Sequence, residues 1–320
     1  MSAVRTSGLA KAYGKTEALA GIDLDIPAGA VYGLIGPNGS GKTTAMEILA
    51  GLRRPSAGQV RLAMPVERVA YAPDAPEFEP WLTAAEVVGV AAGLLGRPRD
   101  PAAVANMLRR VGLGDEARRR VGGFSRGMCS RLGLAAALIG GPELLLADEP
   151  AAALDPGGRL EILELLAGLA GPAAPADAAD PADPVTVVVS SHDLGDVERI
   201  CDRIGVMARG RLVYQGGVAD LLAQASPALR VVVRPPAGPL LAALTAAPWV
   251  RSTTQVSPGE LRIDVADQDE AERCLPAVLA GCGARLIEVG RAGPSLQDIF
   301  FDLTDTGPAG ASRARAMAGS

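Results

Sequence analysis

The segment GPNGSGKT (residues 36–43) decides the fold of this 320-residue chain. It fits the pattern G-x-x-x-x-G-K-[ST] and stands between an apolar strand-like run, AVYGLI (30–35), and a helical run, AMEILAGL (45–52). Glycines allow several backbone N–H groups of such a loop to converge, and the following helix N-terminus adds positive potential at the same point. The segment therefore predicts a polyphosphate site in an α/β fold of the P-loop NTPase type.

Two side chains at the end of this loop have separate predicted tasks. Lys42 is expected to bridge the terminal phosphates, and the Thr43 hydroxyl is expected to bind Mg²⁺. Only three of the 31 basic residues are lysines, and one of them stands where a slim point charge suits a phosphate better than a planar guanidinium. The nucleotide-binding residues predicted in this region are Gly36, Pro37, Asn38, Gly39, Ser40, Gly41, Lys42, Thr43 and Thr44.

Two further apolar strands end in residues that suit phosphate chemistry. ELLLA (143–147) is followed by Asp148 and Glu149, and VTVVVS (185–190) is followed closely by His192, the one histidine of the chain. The carboxyl ends of parallel strands share one edge of a sheet, so these side chains are expected beside the phosphate loop. We predict that Asp148 holds Mg²⁺, that Glu149 aligns or deprotonates the attacking water, and that His192 hydrogen-bonds the γ-phosphate.

The pattern of strands and helices predicts two domains. The first, over residues 1–225, alternates between strands and helices from about residue 3, as in a mostly parallel sheet, and the helix formers of 84–140 predict a helical subdomain. Residues 229–304 give the order β-α-β-β-α-β of a small ferredoxin-like α+β domain, closed by a helix over 295–304. The composition of 170–184 predicts a mobile loop, and that of 305–320 a disordered tail.

The composition excludes several classes of protein. The net charge of −5 gives no basic field that would attract nucleic acid or an anionic membrane. The four cysteines form no C-x-x-C pair, and there is no second histidine for a zinc site, so we expect a reducing, cytoplasmic compartment. The N-terminus lacks a signal-peptide pattern, and Gly-Gly-Pro interrupts the longest apolar run, LGLAAALIGGPELLLA (132–147). No membrane-spanning segment is therefore expected.

With its phosphate loop, Asp-Glu pair and post-strand histidine in this order, the chain resembles the nucleotide-binding subunits of ATP-binding cassette (ABC) transporters over about residues 3–220. FSRGM (124–128) stands in the place of the family's signature loop, and AALDP (152–156) in that of its D-loop. The resemblance implies a two-fold, head-to-tail dimer that encloses two ATP molecules. It also implies that Tyr13 stacks on adenine, and that ATP held by the opposite subunit is reached from Ser125, Gly127 and Asp155.

Two positions depart from the family pattern. In the signature loop, Arg126 and Met128 replace the Gly and Gln of the commoner sequence LSGGQ. Asp74, in AYAPDAPEF (70–78), stands where the family usually has glutamine. A carboxylate near the γ-phosphate must bind metal or withdraw from the anion. We therefore count Asp74, with Thr43 and Asp148, as a candidate metal ligand.

The signature FSRGM and the C-terminal segment SLQDIFFDLT (295–304) resemble the ATPase subunits of drug-resistance-type bacterial ABC exporters. This implies a separate membrane permease that docks near residues 74–90, and a location at the cytoplasmic face of the membrane. An alternative is a soluble ABC-type ATPase that acts on ribosomes or DNA, but the chain has one cassette and no heptad run between Thr43 and Ser125. A GTPase or small-molecule kinase is a third alternative, and the chain has no N-K-x-D guanine-recognition motif.

Overall fold

The computed structural model describes residues 1–170, 184–223, 228–292, 296 and 300. These residues form two compact units, within Met1–Val218 and Ala219–Phe301, and each unit has its own hydrophobic core. Three sequence predictions lie wholly or mostly outside the described residues: the loop over 170–184, the closing helix over 295–304 and the tail over 305–320.

The first unit combines two sheets with a set of helices. Its described elements, in chain order, are β1 (Ser2–Tyr13), β2 (Thr16–Ile22), β3 (Asp25–Pro27), β4 (Val31–Ile35), α1 (Lys42–Leu49), β5 (Ala57–Leu62), β6 (Val69–Ala72), α2 (Ala84–Leu94), α3 (Pro101–Arg110), α4 (Arg126–Leu138), β7 (Leu144–Asp148), α5 (Pro156–Ala167), β8 (Thr186–Ser191), α6 (Leu194–Ile200), β9 (Arg203–Ala208), β10 (Arg211–Gly217) and, at the boundary, α7 (Val218–Ala223).

A six-stranded sheet in the order β10-β9-β4-β8-β7-β6 positions the site. Its strands are parallel except β10, which pairs antiparallel with β9 at one edge. Strands β4, β7 and β8 are buried along their whole lengths, as expected for apolar strands covered on both faces. Because these three strands are neighbours, their carboxyl ends lie side by side, as the sequence predicted.

An antiparallel sheet replaces the alternation of strands and helices that the sequence predicted from residue 3. Strands β2 and β3 pair with β1, and β5 also pairs with β1. The two-residue turn between β1 and β2 contains Gly14 at φ 59°, a conformation that suits a hairpin and that glycine adopts readily. The sequence VERVAY (66–71) is strand-like, but its first three residues are not extended. Arg68 N–H donates to Pro65 O at 2.9 Å and closes a 3-10 turn, so the strand begins at Val69.

The helical subdomain consists of α2, α3 and α4 and falls within the predicted range of 84–140. A capping box begins α2, because Thr83 Oγ1 accepts from Glu86 N–H at 3.3 Å and Glu86 Oε2 accepts from Thr83 N–H at 2.8 Å. Asp100 caps α3, and Ser125 caps α4 by accepting from Met128 N–H at 3.2 Å. Helix α4 packs against β6 and β7, and it thereby connects the signature loop to the strand that ends in Asp148.

The second unit has the predicted element order β-α-β-β-α-β. These elements are β11 (Ala228–Val233), α8 (Gly238–Thr245), β12 (Val250–Ser257), β13 (Glu260–Val265), α9 (Gln268–Gly281) and β14 (Leu286–Ala292). The strands form an antiparallel sheet in the order β12-β13-β11-β14, and the core includes Trp249, Leu240 and Leu275.

No helix in the described part of the chain combines the length and apolarity needed to cross a membrane.

Candidate nucleotide-binding site

The phosphate loop lies between the end of β4 and the start of α1, where the sequence predicted it. Gly41 is the N-cap of α1 and has a φ of 103°, a conformation that side chains disfavour. A Cβ on Gly41 would lie 2.5 Å from Ala18 O, and a Cβ on Gly36 would lie 2.3 Å from Met207 O. Both glycines are therefore required by close approaches to neighbouring backbone, which keep the loop narrow.

Lys42 is held inside this loop and is only 6% exposed. Its Nζ donates to Gly36 O at 2.7 Å and to Pro37 O at 3.4 Å, and it lies 4.0 Å from Glu149 Oε1. Burial lowers the pKa of Lys42, while the Glu149 and Asp148 carboxylates act in the opposite direction. An anionic phosphate beside the Lys42 ammonium would likewise stabilise its buried positive charge.

Asp148 ends β7 and is held by two side chains that the sequence analysis did not single out. Its Oδ1 accepts a hydrogen bond from Ser190 Oγ, and its Oδ2 accepts one from the Tyr71 hydroxyl at 3.3 Å. Burial raises the pKa of Tyr71, and the Asp148 carboxylate adds to the shift, so the hydroxyl remains a donor. In the sequence, Ser190 stands out only as a serine at the end of an apolar strand. That it contacts Asp148 follows from the strand register, which pairs these two residues.

Glu149 and His192 are in direct contact. His192 Nδ1 lies 2.8 Å from Glu149 Oε2, and because an ionised carboxylate only accepts, Nδ1–H is the donor. Glu149 has a φ of 48°, which is uncommon for a residue with a side chain, and its N–H donates to Ser190 Oγ at 2.9 Å. Backbone strain of this kind concentrates at functional positions, and here it occurs at the predicted base.

A cleft of about 570 Å³ gathers most of the predicted nucleotide contacts. Three carboxylates share this cleft with Lys42 and Thr43, and Tyr13 contributes a partly exposed ring. Lys11 Nζ and the Arg53 guanidinium lie 5.2 Å and 5.8 Å from the centroid of that ring. The described lining residues are Tyr13, Ala18, Asn38, Gly39, Gly41, Lys42, Thr43, Thr44, Asp74, Asp148 and Glu149.

The oxygen atoms that line this cleft are suitable ligands for Mg²⁺. The Thr43 hydroxyl and the carboxylates of Asp148 and Asp74 are oxygen ligands, the type that this cation prefers. Within the loop, Ser40 Oγ is buried and has no hydrogen-bond partner among the described residues. A buried polar atom of this kind costs free energy unless a ligand or water satisfies it.

Besides His192, six of the predicted site residues are not among the described residues that line the cleft. Gly36 and Pro37 contribute the carbonyl groups that hold Lys42, and Ser40 is buried in the loop. The other three belong to the signature loop and the D-loop; they are Ser125, Gly127 and Asp155. His192 lines an adjacent cavity together with Glu149.

The signature loop and the D-loop pack against each other within one chain. A Cβ on Gly127 would lie 2.9 Å from Leu154 Cδ2 and 3.1 Å from Ala153 O. Asp155 is the exposed N-cap of α5, and its side chain makes no capping hydrogen bond. The two loops are therefore in contact, and Ser125, Gly127 and Asp155 are not among the described residues that line the cleft at Lys42.

Comparison with known proteins gives consistent matches. The family described as ABC transporter matches residues 19–152. The daunorubicin resistance ATP-binding protein DrrA3 of Streptomyces coeruleorubidus is 32% identical over 314 residues, 95% of this chain and 96% of the relative. The uncharacterized ABC transporter ATP-binding protein YxlF of Bacillus subtilis is 35% identical over 222 residues, 68% and 71% of the two chains. The structure of MJ0796, a dimeric bacterial ABC transporter cassette, matches with a TM-score of 0.59 at 25% identity over 67% of this chain and 98% of that chain.

Proposed function

The chain belongs to the ABC transporter ATP-binding proteins, a family that hydrolyses ATP, and on this premise we propose that it powers a drug-resistance-type exporter. The match to a daunorubicin resistance protein over nearly the whole length of both chains supports the exporter assignment. The observation that carries the proposal is the contact between Glu149 and His192, with Lys42 close to the same carboxylate.

In the proposed mechanism, each of these side chains has a separate role. Glu149 accepts a proton from the attacking water, whose oxygen displaces ADP from the γ-phosphorus. His192 orients the Glu149 carboxylate by donating Nδ1–H, and donation from Nε2–H to the γ-phosphate would require the doubly protonated imidazolium. Lys42 compensates the negative charge of the terminal phosphates, and Tyr13 stacks on the base. Mg²⁺ would be held by Thr43, Asp148 and Asp74, and when bound it neutralises charge on the phosphate oxygens.

We further propose that two copies of the chain enclose ATP between them. Ser125, Gly127 and Asp155 are not among the described residues that line the cleft of the same chain, and we assign their contacts to ATP held by a second copy. The N-terminus of α4, which has 13 residues, supplies backbone N–H groups that suit an anion. The dimeric structure of the related cassette MJ0796 supports this assembly.

The proposed partner is a separate membrane permease that docks near residues 74–90. Trp81 lies in this segment and is 64% exposed, and Val90 is also exposed. Tryptophan is enriched at protein interfaces, so an exposed Trp81 suits such a contact. The chain would then be peripheral at the cytoplasmic face of the membrane, and it would need no affinity for nucleic acid.

The substitution Glu149→Gln tests the proposed hydrolysis, because it keeps the shape of the side chain and removes the base. We expect turnover to fall by roughly 10² to 10⁴, while ATP stays bound and an ATP-dependent dimer accumulates in size-exclusion chromatography with light scattering. The control Glu143→Gln changes a carboxylate before β7, and its turnover should match the wild type. Unchanged turnover in Glu149→Gln would refute the assigned role.

A further inference from the structure

Arg159 connects the helix that follows the D-loop to the loop that carries His192. It lies in the first turn of α5, and its backbone N–H donates to Asp155 O at 2.8 Å. Its guanidinium pairs with Asp193 through Nη2 and with Asp196 through Nε, the latter at 2.7 Å. Asp193 directly follows His192, and Asp196 lies in the first turn of α6. One side chain therefore holds both carboxylates that follow the histidine.

The described contacts leave the imidazole itself weakly constrained by packing, because the His192 side chain is 60% exposed. The backbone beside it is constrained through Asp193. Ser191 Oγ accepts from Asp193 N–H at 3.0 Å and donates to Asp193 O at 3.2 Å, and Asp193 Oδ1 accepts from Gly195 N–H at 2.9 Å. A contact that fixes the position of Asp193 therefore also fixes the backbone position from which the His192 side chain extends.

The contacts of Arg159 suit positioning better than stability. The side chains of Arg159 and Asp193 are 32% and 43% exposed, and an ion pair of such exposure contributes little to the free energy of unfolding. Asp196, at 12% exposed, is the more buried of the two partners. The planar fork of a guanidinium nevertheless fixes the directions of two carboxylates at once. Arg159, Asp193 and Asp196 also line the same small cavity as Glu149 and His192.

We propose that Arg159 is a positioning residue that holds the His192 imidazole against Glu149 through Asp193 and Asp196. The consequence for turnover rests on the proposed function, in which the Glu149 and His192 pair acts on water and phosphate. Without Arg159, the loop after β8 gains freedom, and the hydrogen bond from His192 Nδ1 forms in a smaller fraction of molecules. ATP binding at Lys42 should be retained, because none of the described contacts of Arg159 involves the phosphate loop.

The single histidine gives this proposal a direct test. In tag-free, full-length protein labelled with ¹⁵N-histidine, every imidazole resonance comes from His192. We expect Arg159→Gln to shift the Nδ1 and Nε2 resonances towards those of an unconstrained imidazole. The control Arg68→Gln removes an ion pair of similar exposure, with Glu143, and should leave them in place. Unchanged resonances in Arg159→Gln would overturn the proposal, and no nucleotide is needed for this measurement.

Steady-state kinetics test the consequence for the reaction. For Arg159→Gln we expect kcat to fall roughly 10-fold to 100-fold with KM for ATP within about twofold of wild type. Arg159→Lys should recover part of kcat, because it restores the charge without the fork. In a His192→Ala background, Arg159→Gln should cause no further loss, and a multiplicative loss would overturn the proposal. Shifted resonances with unchanged turnover would support the positioning and contradict the role of the Glu149 and His192 pair in hydrolysis.

Discussion

Ser190 shows how a residue outside the predicted site supports two residues within it, Asp148 and Glu149. Its fully buried hydroxyl donates to Asp148 and accepts from the N–H of Glu149, the residue with the strained backbone. Ser190→Ala leaves both buried groups without this partner, so we expect a loss of about 1–3 kcal/mol in the free energy of unfolding together with lower turnover. Urea denaturation and ATPase assays at saturating ATP measure the two effects.

The matched control for Ser190→Ala is Thr186→Val in the same strand. Thr186 is also buried, and its Oγ1 accepts from Gly29 N–H at 3.0 Å, at the opposite end of β8 from the site. Thr186→Val should therefore lower stability and leave turnover near wild type. Equal losses of turnover in the two variants would show that Ser190 acts through stability alone.

The described residues that line the cleft include three carboxylates and one lysine, Lys42. Asp74 is the third of these carboxylates. Asp74→Asn keeps the size of the side chain and removes its charge. We expect this variant to bind ATP several-fold more tightly in EDTA, because one like charge beside the phosphates is lost, and to need more Mg²⁺ for half-maximal turnover. Equilibrium binding of ATP with and without Mg²⁺ measures both effects.

A control variant distinguishes the effect of a charge at the cleft from the effect of the protein's overall charge. Glu77 is exposed, lies three residues after Asp74 and is not among the described residues of the cleft. Glu77→Gln should leave ATP binding unchanged in both conditions. If Asp74→Asn behaved in the same way as Glu77→Gln, the assignment of Asp74 as a metal ligand would be wrong.

At the scale of elements, the sequence predicts a strand best when the residues of that strand alone show the pattern. The apolar runs of β4, β7 and β8 are continuous and are bounded by polar or turn residues, so their presence and their shared edge follow from local pattern. The antiparallel sheet of β1, β2, β3 and β5 was missed because its pairing joins segments as distant as Val4 and Leu62. The shape of the cleft could not be predicted from the sequence either, because Tyr13 and Asp74, which both line it, are far apart in the chain.

The contact between the start of α4 and the D-loop gives a prediction for these two elements. Gly127→Ala would place a methyl group 2.9 Å from Leu154 Cδ2 and 3.1 Å from Ala153 O, so the Leu154 side chain must move and the backbone at Ala153 must yield slightly. Since Gly127 is not among the described residues of the cleft, ATP binding to one chain should persist. Turnover should fall about tenfold or more, because a displaced signature loop no longer meets ATP on a second copy.

Gly123→Ala provides the control for Gly127→Ala. Its Cβ would lie 3.5 Å from the nearest atom, Arg119 Nη2, at ordinary contact distance and shortly before the same helix. We expect normal turnover for Gly123→Ala. Wild-type turnover and ATP-dependent dimerisation in Gly127→Ala would contradict the proposed role of the signature loop.

At the scale of the whole molecule, the two tryptophans report on different units. Trp81 lies in the first unit and is 64% exposed, whereas Trp249 lies in the core of the second unit and is 5% exposed. In a Trp81→Phe variant, tryptophan fluorescence therefore follows the unfolding of the second unit alone. Far-UV circular dichroism in the same sample follows mainly the larger first unit, which contains α1 to α6.

Because the described residues of the nucleotide cleft all belong to the first unit, nucleotide should stabilise the two units unequally. A ligand at 100 times its Kd adds about 2.7 kcal/mol to the state that binds it, which corresponds to a rise of roughly 5–10 °C in the Tm of a unit of this size. In Trp81→Phe, Mg²⁺ and ATP should raise the Tm seen by circular dichroism and leave the Tm seen by Trp249 fluorescence in place. Equal shifts in both signals would mean that the two cores unfold as one cooperative structure, and the second unit would then have to sense nucleotide through the first.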